Sequence, residues 1–391
     1  MADRSLTVVT RKIYWCGPMI SAKALHRQNG AMILVSVVLL LVIVLVVTLY
    51  TGRVKTLQHK TLLNEQNYAL SFAAAEAGLM KALGRLSEDS GWDGSQIDTI
   101  LPENSSYAVT GVRQQVTKQS TTVTVVDLES VGTSADGLAT TTIRESALLY
   151  SVLANPPDAP LIVAGGMAVG GNFEVTANPN GGGTGVPLSI WTDQSVDMNN
   201  GSGTTCGLQE FNDGNCSTSP YSEKGFKNLD IVDDDPGFPD DLMEYLFNVP
   251  EAEWPQLRAD ADQTLADCST LSAASVGLIW VDGDCTLNAG TVVGSTPAPV
   301  IVIVTDGDIN MNGGAELFGI LFSFRKPGVL ADFEIDMAGG ARVNGTVASN
   351  HPIGHANGTY NAVYDAEVLE SIKQHDAFRR VGRIPGSWRD F

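Results

Sequence analysis

Four cysteines carry the clearest chemical signal in this 391-residue chain. Cys206 with Cys216, and Cys268 with Cys285, form two sequence-local pairs; an even count in loop-rich sequence points to disulfides, and this pairing closes the shortest loops. Other connectivities, buried free thiols and a zinc site stay open, although neither pair has C-x₂₋₄-C spacing. Asp233, Asp234 and Asp235, with Asp240 and Asp241 close behind, offer the oxygen ligands calcium prefers; the competing reading is a solvated acidic turn leading into a helix cap. His351 and His355 lie four apart, but Pro352 and Gly354 between them break the helical face that a zinc pair needs. Between residues 160 and 341 the only cations are Lys224, Lys227, Arg258, Arg325 and Lys326, none beside an acidic cluster in a repeat. No G-x-S-x-G, H-E-x-x-H or phosphate-binding glycine loop occurs. The expectation is a protein that is not an enzyme, with no cofactor and no resident metal.

What must position these residues begins at a membrane. Residues 31–50 (AMILVSVVLLLVIVLVVTLY, first Ala31, last Tyr50) are uncharged, and twenty helical residues cover ~30 Å, the thickness of a bilayer's hydrocarbon. Residues 1–30 hold five cations against one anion, a net +4, so the remainder carries −24 within the formal total of −20. That asymmetry keeps the N-terminus in the cytoplasm and sends the acidic body across, where disulfides persist. It also repels phosphate backbones, so nucleic acid is not the expected partner. No A-x-A-like cleavage site follows the span, and Cys16 precedes it, which argues against removal there and against lipid attachment. Leu25-His26-Arg27-Gln28-Asn29-Gly30 sits directly against the apolar run and looks like a type III leader cut between Gly30 and Ala31; an uncleaved signal anchor is the alternative. Met19 is a second candidate start.

Beyond Tyr50, proline-free sequence rich in helix formers continues the helix to about Leu86. Leu62, Leu70, Phe72, Ala73, Leu79 and Leu83 give it an apolar stripe, with Glu65, Glu76 and Lys81 off it. Arg27-Gln28-Asn29-Gly30 before the span, and Phe72-Ala73-Ala74-Ala75-Glu76-Ala77-Gly78-Leu79 after it, together resemble the PilX-type N-terminal region of type IV minor pilins and pseudopilins, over residues 25–86. The resemblance implies a substrate of prepilin peptidase, methylation, insertion in the inner membrane with the body in the periplasm, and assembly with other pilin subunits into a cell-surface filament. Val35 stands where many major pilins have glutamate, and Ala31 where phenylalanine is common, which suits a minor subunit at the tip or base.

Segments 106–116, 120–133 and 138–153 alternate β-branched and polar residues, separated by Lys118-Gln119-Ser120 and Ser134-Ala135-Asp136-Gly137, and predict a small antiparallel sheet. With the helix this gives an α+β pilin-like head of residues 31–88 and 89–157, bounded by the proline-rich 155–160. From 158 to 391 the expectation is a mainly-β domain. Short strands recur with Gly, Asn and Asp corners, and Gly283 to Gly290 align with Gly307 to Gly314 at a shift of 24, continued by Ile335-Asp336-Met337. That pattern fits a parallel β-solenoid, with an irregular β-sandwich as alternative. A helical insertion is expected at about 238–267, with Asp240 as cap and a second helix from Glu251 to Ala266. The basic, aromatic segment from Phe378 to Phe391 docks on the body or binds a partner. The function expected is a minor pilin-like structural subunit, the alternative a membrane-anchored adhesin or glycan-binding module with an unknown surface ligand.

Overall fold

The computed structural model describes residues 29–118, 121–169, 172–199, 202–216, 220–356 and 359–391. The chain divides into a unit ending at Asn67 and a compact unit from Tyr68 to Phe391. The first is helical from Asn29 onward, as the start of helix α1 (Asn29–Glu88), which no proline interrupts. The leader expected at 1–30 lies outside the described residues up to 28.

In the second unit, the end of α1 packs on an antiparallel sheet of β1 (Ile97–Ile100), β2 (Ser106–Lys118), β3 (Thr121–Thr133) and β4 (Thr140–Ser151). Alternation turns Tyr107, Val109, Val126, Leu128, Ile143, Ala147 and Leu149 to one face, where they bury Ala75, Leu79, Ala82, Leu83 and Leu86 of the helix. The buried stripe is thus centred on small residues. Ala73, expected in the stripe, is exposed instead, because the close-packed face runs through Ser71, Ala74, Ala75 and Gly78; Leu62, also expected there, is exposed because it precedes the part of the helix that packs on the sheet.

The remaining elements are β5 (Leu161–Val163), β6 (Met167–Val169), β7 (Asn172–Thr176), β8 (Ile190–Thr192), β9 (Val196–Asp197), β10 (Thr204–Cys206), α2 (Leu208–Asn212), β11 (Ile231–Val232), α3 (Leu242–Phe247) and α4 (Trp254–Ala259). They continue with β12 (Gln263–Leu265), β13 (Gly277–Asp282), β14 (Cys285–Leu287), β15 (Val292–Val293), β16 (Val300–Thr305), β17 (Ile309–Met311), β18 (Glu316–Phe324), β19 (Ile335–Met337), β20 (Arg342–Ser349), β21 (Ile353–Ala356), β22 (Thr359–Val363), α5 (Ala366–Gln374) and β23 (Arg379–Arg383). Every ladder between strands β5 to β22 is parallel, in a twelve-stranded sheet and two three-stranded ones, β14–β17–β19 and β21–β6–β9. Cys285, Thr286 and Leu287 pair with Ile309, Asn310 and Met311, the offset of 24 that the repeat gives, and Ile335 to Met337 follow on the far side.

The large sheet is buried on both faces, which explains unbroken apolar runs such as Val300–Thr305. Ile279, Val281, Val302, Val304 and Leu321 share an inner core with Leu287, Met311 and Met337 of the three-stranded sheet. Trp280, Ile301, Ile303 and Phe322 face outward onto Leu246, Phe247, Leu257, Leu369 and Ile372 of the helices. Gly319 and Gly345, at φ +142° and +137°, divide β18 and β20. A Cβ at either would meet a neighbouring strand's carbonyl oxygen, 1.8 Å away at Val300 or 2.1 Å at Gly319, so only glycine fits. On one side of this line β18 pairs with β16 and β20 with β5; on the other, β18 pairs with β15 and β20 with β22.

Three expectations are corrected here. The cap of α3 is Asp241, not Asp240: Asp241 Oδ1 accepts from Glu244 N (2.7 Å) and Oδ2 from Glu251 N (2.8 Å). The second helix is a 3-10 turn at Glu251–Glu253 plus the short α4. It stops because Asp262 exchanges two hydrogen bonds with Leu278, its amide donating to the carbonyl and its carboxylate accepting from the amide, which draws residues 263–265 onto the edge of β13 as a strand. The C-terminal segment leaves the 158–391 body: β23 pairs antiparallel with β4 and becomes the fifth strand of the first sheet.

Candidate assembly surface on the N-terminal helix

The apolar span is all surface. From Met32 to Tyr50 its large side chains are between 50% (Val44) and 81% (Met32) exposed, and no acidic or basic residue interrupts them. Its few polar side chains ask nothing of water. Ser36 Oγ donates to Ile33 O (2.8 Å), Thr48 Oγ1 to Val44 O (2.9 Å) and Thr51 Oγ1 to Val47 O (2.7 Å), so each hydroxyl is satisfied within the helix. With backbone and hydroxyls both satisfied, the surface is compatible with lipid or with another apolar helix. Among the described residues this helix alone is long and apolar enough to cross a membrane. Gly30 and Ala31 lie in its first turns. Arg53, Lys55 and Lys60 are the first charges beyond the span.

No family model matches the chain, nor does any curated protein. Among solved structures it is similar to the competence-associated pilin ComZ from Thermus thermophilus. The likeness covers 83% of this chain and 97% of that one, at 13% identity and a TM-score of 0.25. A resemblance so distant adds no weight to what the residues themselves show.

The eight residues singled out after the span divide by face. Ala74, Ala75, Gly78 and Leu79 are buried against the sheet, Phe72 and Ala77 are half-buried, and Ala73 and Glu76 are exposed. Gly78 permits the approach, since a Cβ there would stand 2.3 Å from Ser130 Oγ and 2.8 Å from the Tyr107 ring. Opposite, a Cβ at Gly132 would stand 2.0 Å from Ser71 O. Ser71 Oγ and Thr141 Oγ1 share a buried hydrogen bond of 2.7 Å across the same contact. The C-terminal segment reaches this helix too: Trp388 meets Phe72 edge-on with centroids 6.3 Å apart. Arg383 grips the buried Glu145 with two hydrogen bonds (2.6 and 2.9 Å); Glu145 first, and Glu76 more weakly, push the guanidinium pKa up.

Both cysteine pairs are disulfides, Cys206–Cys216 and Cys268–Cys285. The acidic turn is occupied by its own neighbours. Asp233 Oδ2 accepts from Val196 N (3.0 Å) and pairs with Lys227, Asp234 adopts a left-handed backbone, and Asp235 accepts from Trp191 Nε1 (2.7 Å) and Gly237 N (2.8 Å). The Trp191 bond chiefly holds the Asp235 carboxyl below the usual carboxylate range. The carboxylates of Asp233 and Asp235 serve as turn acceptors, and among the described residues no group of three or more His, Cys, Asp or Glu is placed to hold a metal. His351 is fully buried, its Nε2 2.9 Å from Ser323 Oγ and its Nδ1 3.0 Å from Pro352 O; the side chain of His355 lies outside the described residues. Sequence reasoning missed Asp230, a fully buried carboxylate that accepts from the hydroxyls of Ser189, Thr205 and Ser222. Only its position at the head of an acidic, polar stretch marked it, and that signal reads as a surface turn.

Proposed function

We propose that the chain is a minor pilin-like structural subunit. It is trimmed between Gly30 and Ala31 by prepilin peptidase, held in the inner membrane with its body in the periplasm, and built with other pilin subunits into a type IV pilus-like filament at the cell surface. One observation carries this reading: a single unbroken helix is apolar and exposed on every side through Tyr50, yet from Ser71 onward is lined with alanine and glycine where it lies against an antiparallel sheet. Such a helix exchanges lipid contact for contact with like helices when a subunit is drawn from the bilayer. The +4 leader must be removed first, because charges resist passage through hydrocarbon. Val35, an apolar residue at the fifth position after the cut, supports a minor place in the filament, at tip or base. The parallel body reads as coils of a β-solenoid displayed by that subunit.

The test is intact-mass analysis of the membrane-extracted protein from cells with and without prepilin peptidase. A terminus at Ala31 that depends on the peptidase is expected. An intact leader in both cells would leave a signal anchor and replace this reading with a tethered surface module.

A further inference from the structure

Where the apolar span of α1 ends, the helix carries a collar of basic residues. Arg53, Lys55, His59 and Lys60 are all exposed, and no acidic residue stands between Gly30 and Glu65. The hydroxyls of Thr51, Thr56 and Thr61 turn back onto the helix, donating to Val47 O (2.7 Å), Gly52 O (2.6 Å) and Leu57 O (3.1 Å). Gln58 apart, the polar side chains of this segment that look outward are therefore basic. Among the described residues none of the four enters an ion pair. In a chain that carries −24 after Gly30, this is a local reversal of sign.

The cations ring the helix. At ~100° per residue Lys60 stands over Arg53, two turns on, whereas Lys55 and His59 lie roughly opposite them. From Arg53 to Lys60 the collar covers ~10 Å of the axis. A headgroup layer is roughly 5–8 Å deep on each side of a bilayer, and the long stems of Lys and Arg reach back toward it. Tyr50, 69% exposed, takes the boundary place that amphipathic aromatic rings prefer.

We propose that Arg53, Lys55 and Lys60 select anionic phospholipid headgroups around this end of the span. The proposal rests on the reading that residues 31–50 cross a bilayer, and it is the same for a filament subunit and for an anchored module. A ring of charge suits a layer that surrounds the helix, where each phosphate meets a cation without a second binding face. A protein partner would approach one face and leave the opposite cations unmet, and a second copy in register would bring like charge against like. Spread along and around the helix, the cations do not converge on one small anion.

The experiment is electron paramagnetic resonance of the full chain in phosphatidylcholine vesicles, with spin-labelled phosphatidylglycerol or spin-labelled phosphatidylcholine as probe. Lipid motionally restricted by the protein is expected to favour phosphatidylglycerol about threefold or more at ~50 mM salt, and to approach parity at about 1 M. The leader's cations act at the other end of the span, so the collar is read by difference. The triple variant Arg53→Gln, Lys55→Gln, Lys60→Gln, which keeps good helix formers, should lose about half of the preference or more. Gln58→Lys, which only adds a charge, should raise it. An unchanged preference in both variants would overturn the proposal while leaving the span in the bilayer. Absence of restricted lipid with either probe would overturn the membrane reading itself, and the proposal with it.

Discussion

A methyl group at Gly132 would stand 2.0 Å from Ser71 O and 2.4 Å from Ala75 N, backbone atoms of a helix that cannot yield alone. Gly132→Ala is therefore expected to destabilise the protein by about 1–3 kcal/mol in urea unfolding followed by tryptophan fluorescence. Gly84→Ala, in the same helix with nothing within 4 Å, should stabilise it by about 0.4–1 kcal/mol. His351 gives a pH signature. Burial, above all, pushes its imidazole pKa down from the ordinary 6.5, so the folded state favours the neutral ring and binds fewer protons than the unfolded chain. Stability therefore rises with pH across the window between the lowered value and 6.5, and is lost as pH falls through it. Unfolding midpoints at several pH values between about 5 and 7.5 should slope less in His351→Gln than in the parent. At this scale the sequence was partly legible. Gly78 lies within the stretch picked out after the apolar span, but Tyr107 and Ser130, which it meets, stand on strands far along the chain, and no local pattern joins them to it.

Among elements, β23 changes the character of β4. It pairs with residues 147–151, and an isolated bridge between Arg144 and Arg389 extends the cover along the same edge. Deleting residues 379–391 should bare that edge, and static light scattering should then detect concentration-dependent association that the parent lacks. The Cys268–Cys285 disulfide fastens the segment after β12 to β14 across 17 residues, with both cysteines buried. Replacing both cysteines with alanine should lower unfolding stability by about 3 kcal/mol, read from the urea midpoint. Strands β2, β3 and β4 were legible to within two residues because alternation is a local property. The short α4 and the strand β12 were not: local propensity over 251–266 favours helix, and an open edge on β13, formed by residues further along the chain, overrides it.

For the whole molecule, apolarity and charge are separated along the chain. The bare span has no charge between Gly30 and Arg53, and the residues after Gly30 together carry −24. A chain beginning at Arg53 is expected to stay monomeric in water by size-exclusion chromatography with light scattering, while the full chain requires detergent. The two parts were legible as a long apolar helix and an acidic body; how the body closes was not, because its first sheet recruits a strand from more than 200 residues downstream. That recruitment sets an order of events during synthesis. Residues 97–151 are made early, but their sheet waits for residues 379–383, and every strand of the parallel body comes in between. A chain stalled anywhere within the body leaves the outer edge of β4 bare and the Phe72 face of the helix without Trp388. Completion of the sheet thus reports that everything between β4 and β23 has been delivered, and a nascent body is distinguishable from a finished one by a single strand.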